Sequence, residues 1–256
     1  VIVGDFLQLP PICIAEEGMA QRWLGRSIYQ HLQVDTVSKA KQDSRICLLD
    51  TQYRMNPAIA AIPNQMFYQG VLSDDISTHS YISKELTNSP LTIIDTTLAS
   101  PWCSRLSSGG RFNVYSALLA ATTAKKILQS TEPIGCKVGI ISPYAAQARL
   151  IGKILKDMGL EREVRIATVH RFQGGEADII ILDTVEGPGV KIAPMLDDTK
   201  EDSDAPLLLN VAITRARCKI FLLANLKYLK SELSTETVLH RIISAFERNG
   251  QRIDCN

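Results

Sequence analysis

Short runs that are apolar at almost every position alternate along this chain with segments whose apolar residues recur every three or four positions. The first kind comprises Leu91-Thr92-Ile93-Ile94, Val138-Gly139-Ile140-Ile141, Val164 to Val169, Ile179-Ile180-Ile181-Leu182 and Ile220-Phe221-Leu222-Leu223. A strand that is apolar on both faces must be covered on both, which is the habit of parallel sheets. The second kind is helical. Val114, Ala117, Leu118, Ala121 and Leu128 form one stripe, Ile151, Ile154, Leu155 and Met158 a second, and Leu239, Ile242, Ile243 and Phe246 a third. Alternation of the two kinds predicts an α/β fold, a parallel sheet with helices on both faces.

The remaining segments are less regular. Val1-Ile2-Val3 has the pattern of a buried strand with nothing before it, which suggests a fragment of a longer chain. It leads through Gly4-Asp5 into the loop Phe6 to Pro11, then a mixed helical stretch to Leu32, a polar patch from Asp35 to Ser44 and a second apolar run, Ile46 to Leu49. Asn56 before Pro57 reads as a helix start, because Asn can cap and Pro suits the first helical position. Gly70 reads as the stop of that helix, which would carry Met66, Phe67 and Tyr68. Leu209 to Arg217 reads as a short helix. Gly187 to Pro206 holds Asp197, Asp198, Glu201, Asp202 and Asp204 and few core formers, so a mobile surface loop is expected there.

Charge adds a restriction. Twenty-eight Lys and Arg against 27 Asp and Glu leave a formal net charge of +1 over 256 residues, so a nucleic-acid site, if present, is local. The six cysteines are scattered without a C-x-x-C pair, which fits reduced thiols in a cytoplasmic or nuclear protein and gives no metal site. No apolar run reaches membrane-spanning length, and no signal peptide precedes the first motif.

Five segments carry candidate chemistry. Gly4-Asp5-Phe6-Leu7-Gln8-Leu9-Pro10-Pro11 places an acid and an amide where a phosphate or water could be sensed. In Gln52-Tyr53-Arg54-Met55-Asn56-Pro57, the Tyr offers a flat face for a base and the Arg a fork for phosphate oxygens. Ile141-Ser142-Pro143-Tyr144-Ala145-Ala146-Gln147 opens a helix at the C-terminal edge of the sheet, where α/β ligands commonly bind. Thr168-Val169-His170-Arg171-Phe172-Gln173-Gly174-Gly175-Glu176-Ala177-Asp178 has two glycines that let backbone amides approach an anion, and a Glu able to accept from a ribose hydroxyl. Leu209-Asn210-Val211-Ala212-Ile213-Thr214-Arg215-Ala216-Arg217 sets an Arg among small and apolar residues. Each also has a plain reading as a turn, cap or surface pair.

In that order, GD-x-x-QLPP, QYRM-x-P, FQG-x-E-x-D and NVA-I-TRAR resemble the superfamily-one helicases of the nonsense-mediated-decay type, a group that includes the nuclease-helicase of lagging-strand processing. The resemblance runs from Gly4 to about Asn225. It implies a RecA-like sheet of the P-loop NTPase type as a second motor domain over 51–256, preceded at 1–50 by a remnant of the first RecA-like domain. It further implies that Gln8 couples nucleotide state to the nucleic-acid site, Tyr53 lies against adenine, and Arg54 reaches the terminal phosphate. Gly175 would lie beside the phosphates, Glu176 would contact the ribose, and Arg215 would be the arginine finger. Ser142, Pro143, Tyr144, Thr168 and His170 would face single-stranded DNA or RNA. Two departures stand out: relatives often have basic residues at Pro206-Leu207-Leu208, and commonly a Glu where Ser116 stands.

The chain contains no G-x-x-x-x-G-K-[ST] loop, and the acidic pair that anchors Mg²⁺ in this family is missing ahead of Gly4. ATP and Mg²⁺ are therefore expected in the full-length protein, with an N-terminal RecA-like domain as partner, and the fragment alone is expected to be inactive, with Gln8 stranded from the site it senses. The alternatives are a degenerate domain acting as a nucleic-acid or protein-binding module, and a piece of an enzyme with a fused nuclease.

Overall fold

The computed structural model describes residues 1–10, 13–15, 17–82, 86–130, 136–200 and 203–255. Pro11, Glu201 and Asp202 lie outside them. In chain order the elements begin with α1 (Gly18–Leu24), α2 (Ile28–His31), α3 (Val37–Gln42), β1 (Thr51–Gln52), α4 (Pro57–Met66), β2 (Ser73–Asp74) and a 3-10 turn, Ile76–Ser80. Next come β3 (Leu91–Asp95), β4 (Ser104–Arg105), β5 (Arg111–Phe112), α5 (Val114–Gln129), β6 (Val138–Ser142), α6 (Ala145–Asp157), β7 (Val164–Thr168) and α7 (Val169–Phe172). The chain continues with β8 (Ala177–Asp183), α8 (Ala205–Ile213), β9 (Ala216–Ala224), α9 (Leu226–Glu232), α10 (Val238–Asn249) and β10 (Gln251–Asp254).

Six strands form one parallel sheet in the order β10-β3-β9-β8-β6-β7. Strict alternation divides its side chains between two cores. Ile93, Ile141, Ile180, Leu182, Ile220 and Leu222 face α4, α7, α8 and α10, whereas Ile94, Ile140, Ile179, Ile181, Phe221 and Leu223 face α5 and α6. The α/β architecture expected from the patterning, with both faces covered, is the one observed.

Local chemistry explains the details. Asn56 caps α4 through a 2.9 Å bond from the Ala58 amide, worth about 1 kcal/mol. That helix ends at Met66, and Phe67 and Tyr68 belong to the turn beyond it, where Gln69 and Gly70 both take positive φ. In α5 the buried face is Ala117, Ala120, Ala121, Ala124 and Ile127, while Val114 and Leu118 of the expected stripe are exposed. Small residues let that helix approach the sheet. Gly139 serves the opposite core: a Cβ there would lie 2.7 Å from Phe172 Cζ, so the missing side chain makes a notch for the fully buried Phe172.

Other expectations change. Val1 to Val3 is exposed and unpaired, since an apolar run becomes a strand only when a neighbour takes its backbone hydrogen bonds. Ile46 to Leu49 forms no regular element, and the polar patch contains α3. The segment after Gly187 is tethered: Ala193 and Leu196 are buried, and Asp198 accepts from the Val238 amide that starts α10. β10 was unexpected, and it pairs along the edge of β3.

Every crossover of this parallel sheet runs from its C-terminal edge back to its N-terminal edge, and the shortest joins β7 to β8. Thr168 is the register partner of Ser142, and Ile141 that of Leu182, so Thr168 stands level with Asp183. The segment Val169 to Glu176 therefore descends from the C-terminal edge of the sheet to the N-terminal edge, where β8 begins, a drop of roughly 20 Å.

Candidate functional site

At the N-terminal edge, Ala177 of β8 pairs with Ala216 of β9, so Glu176 and Arg215 emerge side by side. The Gln52 to Asn56 segment closes against them, its Asn56 amide donating to the Arg217 carbonyl at 2.7 Å. Gln52 shapes that segment by accepting from the Arg54 and Met55 amides at 2.9 and 2.7 Å, which turns Tyr53 and Arg54 outward. Arg54 Nε donates to Glu176 Oε2 at 2.9 Å and its Nη1 to the Thr214 carbonyl at 3.3 Å.

Arg215 is 2% exposed. Its Nε donates to the Val211 carbonyl at 3.0 Å and its Nη1 to the Gly175 carbonyl at 3.3 Å. Its Nη2 donates to Thr214 Oγ1 at 3.0 Å and to Gln8 Oε1 at 3.3 Å. Burial, then the positive charge of Arg54, pull its pKa down to about 10, so it stays cationic at neutral pH. Tyr53 is 62% exposed and borders a cavity of 450 Å³ with Gln52, Arg54, Met55, Glu176 and Arg217.

Three readings change here. Arg215 is not on a helix; α8 ends at Ile213 and Arg215 lies in the turn before β9. Gly175 offers no free amide: its N–H donates to the Phe172 carbonyl at 2.9 Å while its own carbonyl holds Arg215. Gln8 is not stranded but reaches Arg215 directly. Arg217 went unassigned although it stands in the same TRAR run; its guanidinium lies 4.7 Å from the Tyr81 ring and 3.6 Å from Asp178.

The other candidates gather at the C-terminal edge. Pro143, Tyr144, Thr168 and His170 line a cavity of 920 Å³ together with Arg105, Arg149 and Met195. Ser142 does not line it. It is fully buried at the end of β6, where its Oγ accepts from the Tyr144 amide at 3.3 Å, a turn-forming role.

Beneath this groove lies a charged framework that spacing could not reveal. The Tyr144 hydroxyl donates to Glu186 Oε1, and Arg111 Nη1 donates to the other carboxylate oxygen at 2.5 Å. Burial raises the Glu186 pKa, while Tyr144 and Arg111 oppose the rise, and burial also holds the Tyr144 hydroxyl far above its ordinary range. Alongside, fully buried Asp183 accepts from Gln147 Nε2 at 2.7 Å, Ser116 Oγ at 3.2 Å and the Val185 amide at 3.0 Å. Burial nonetheless pushes its pKa up to about 6. Ser116 is thus a neutral donor to a buried carboxylate. Leu208 is 2% exposed in the core of α8.

Comparison with known proteins gives this arrangement a family. Residues 24–227 match the family AAA_12, described as an AAA domain. The chain is 29% identical over 253 residues to the regulator of nonsense transcripts 1 homolog of Neurospora crassa, covering 94% of this chain and 21% of that one. The ATP-dependent helicase upf1 of Schizosaccharomyces pombe is 29% identical over 255 residues, covering 94% and 25%. The 5'-3' DNA helicase ZGRF1 of Mus musculus is 30% identical over 237 residues, covering 90% and 11%. The chain belongs to the AAA_12 family, the C-terminal part of the superfamily-one helicases related to those regulators. It spans a quarter or less of each of these relatives.

Proposed function

We propose that this chain is the second motor domain of an ATP-driven helicase that moves along single-stranded DNA or RNA. The observation that carries this reading is the placement of two guanidinium groups side by side. Arg54 and Arg215 both bond to Thr214, and the charge of one depresses the pKa of the other. Such self-repulsion is relieved by a polyanion, and the fork of each guanidinium suits phosphate oxygens.

The rest of the edge fits a nucleoside triphosphate. Tyr53 supplies a flat face for the base, and Glu176 can exchange Arg54 for a ribose hydroxyl. Arg54 is thereby freed for the terminal phosphate, with Gly175 as the anchor of Arg215 and Gln8 as the group that senses the phosphate. Arg215 stabilises charge on the transferring phosphoryl group, a contribution of about a thousandfold or more in comparable enzymes. Among the described residues no cluster of three or more His, Cys, Asp or Glu side chains is placed to hold a metal. The phosphate loop and the metal-binding acids belong to a first motor domain, of which residues 1–50 are the tail.

A single strand is assigned to the groove of Pro143, Tyr144, Thr168 and His170, with Ser142 shaping its floor. The names of the fission-yeast and mouse relatives support ATP use and 5′ to 3′ travel. No helix among the described residues is long and apolar enough to cross a membrane, and we place the protein in the cytoplasm or nucleus.

Single-strand-stimulated ATP turnover tests the reading. The full-length protein is expected to hydrolyse ATP, the chain of residues 1–256 alone is not, and Arg54→Ala in the full-length protein is expected to lower the stimulated rate about a hundredfold. Full activity in that variant would overturn the assignment.

A further inference from the structure

Tyr68 belongs to none of the five motifs, yet two of them, the Gly4 to Pro11 loop and the Leu209 to Arg217 segment, meet at its hydroxyl. That group donates to Asp5 Oδ2 at 2.6 Å and accepts from Asn210 Nδ2 at 3.0 Å. Asp5 in turn accepts from Gln8 Nε2 at 2.8 Å through the same oxygen, and from the Leu7 amide at 2.9 Å through the other. An amide side chain has one donating and one accepting end. With the donating end of Gln8 held by Asp5, its oxygen faces away, onto Arg215 Nη2 at 3.3 Å.

The contact is built rather than incidental. Asn210 Nδ2 also donates to the Leu7 carbonyl at 2.7 Å, Gln173 Nε2 donates to the Leu9 carbonyl at 3.3 Å, and Leu9 is buried in the same core as α8. Asn210 is fully buried, and its Oδ1 has no hydrogen-bond partner among the described residues. Its orientation is therefore set by what its two hydrogens reach, which is this loop and Tyr68.

We infer that Tyr68 is a positioning residue for the motor reaction: through Asp5 it fixes the rotation of the Gln8 amide and joins the loop bearing Gln8 to the end of α8 that leads into Arg215. This inference rests on the proposed ATP site, because Gln8 and Arg215 matter only if phosphate comes between them. Burial and the neighbouring Asp5 carboxylate both keep the phenol protonated, so the donor is present at any working pH.

Tyr68→Phe in the full-length protein keeps the ring and removes the joint. The expected result is a fall of about tenfold or more in single-strand-stimulated kcat, the scale of one charge-assisted hydrogen bond, with KM for ATP changed less than about twofold. Asp5→Ala is expected to give a similar fall, and the double variant no more than either single change. Amide hydrogen exchange at Leu7 and Gln8, measured on the same proteins without nucleotide, is expected to accelerate in Tyr68→Phe. Unchanged kcat, additive losses, or a rise in KM that accounts for the loss would each overturn the positioning role. Unchanged exchange would overturn the joint itself. Absence of stimulated turnover in the unsubstituted protein would sink the ATP reading instead, and the exchange measurement would still decide whether the joint exists.

Discussion

The two edges of the sheet hold their charges in opposite ways. At the N-terminal edge the Arg54–Glu176 pair is open to solvent, with side chains 38% and 46% exposed. At the C-terminal edge the Arg111–Glu186 pair is 10% and 0% exposed and is completed by the Tyr144 hydroxyl. An exposed pair contributes little and is readily exchanged for a ligand. A buried pair cannot lose one partner without leaving an uncompensated charge in the core. The first pair can therefore be exchanged at little cost, and the second cannot.

That contrast can be broken by experiment. The largest effect expected is from Arg215→Ala in the full-length protein, which should lower stimulated ATP turnover about a thousandfold or more while leaving nucleotide-free single-strand affinity unchanged. A comparable loss of affinity would erase the division between the edges. Next, Arg111→Ala should cost about 3–5 kcal/mol in denaturant unfolding of the chain, because Glu186 is left buried and unpaired. Glu176→Ala, by the same measurement, should stay within about 1 kcal/mol. Equal costs would show that exposure does not distinguish the pairs.

A smaller effect concerns pH. Asp183 has its carboxyl pKa raised from 3.8 to about 6 by burial, so the folded state holds its proton more tightly than the unfolded chain. Its contribution to stability is complete below about pH 4 and is lost as pH rises through about 6. Urea unfolding across that interval should show the decline, and Asp183→Asn should flatten it whatever its overall stability. The smallest expected effect is at the groove rim: Arg149→Ala should reduce the salt dependence of single-strand binding by about 0.7 in log–log slope if it meets one phosphate. An unchanged slope would remove Arg149 from the path of the strand.

Much of the fold was legible because the four central strands are apolar on both faces and α10 keeps a strict stripe. β10 was not, because Gln251, Arg252 and Asp254 carry no apolar alternation; Arg252 reaches Asp95 at 2.8 Å and Asp254 at 2.7 Å. The start of α8 was missed because that helix is buried on nearly every side, which erases its period. At the site, Gln8, Arg54, Glu176 and Arg215 could be chosen from motif order, and the structure brings them together. Their location could not. The rule that ligands meet parallel sheets at the C-terminal edge points to the groove of Tyr144, whereas the paired arginines lie at the other edge. Arg111 and Glu186 were invisible for a different reason: 75 residues separate them, and only the folded sheet makes them neighbours.

The descending segment from Val169 to Glu176 gives these two edges a shared fate. Its upper end begins beside Thr168 and carries His170 into the groove, its lower end carries Glu176, and Phe172 is seated between them in the notch over Gly139. The segment is short, and its middle is held by the fully buried Phe172. On the proposed reading, a single strand at His170 and a nucleotide at Glu176 would act on opposite ends of this one segment.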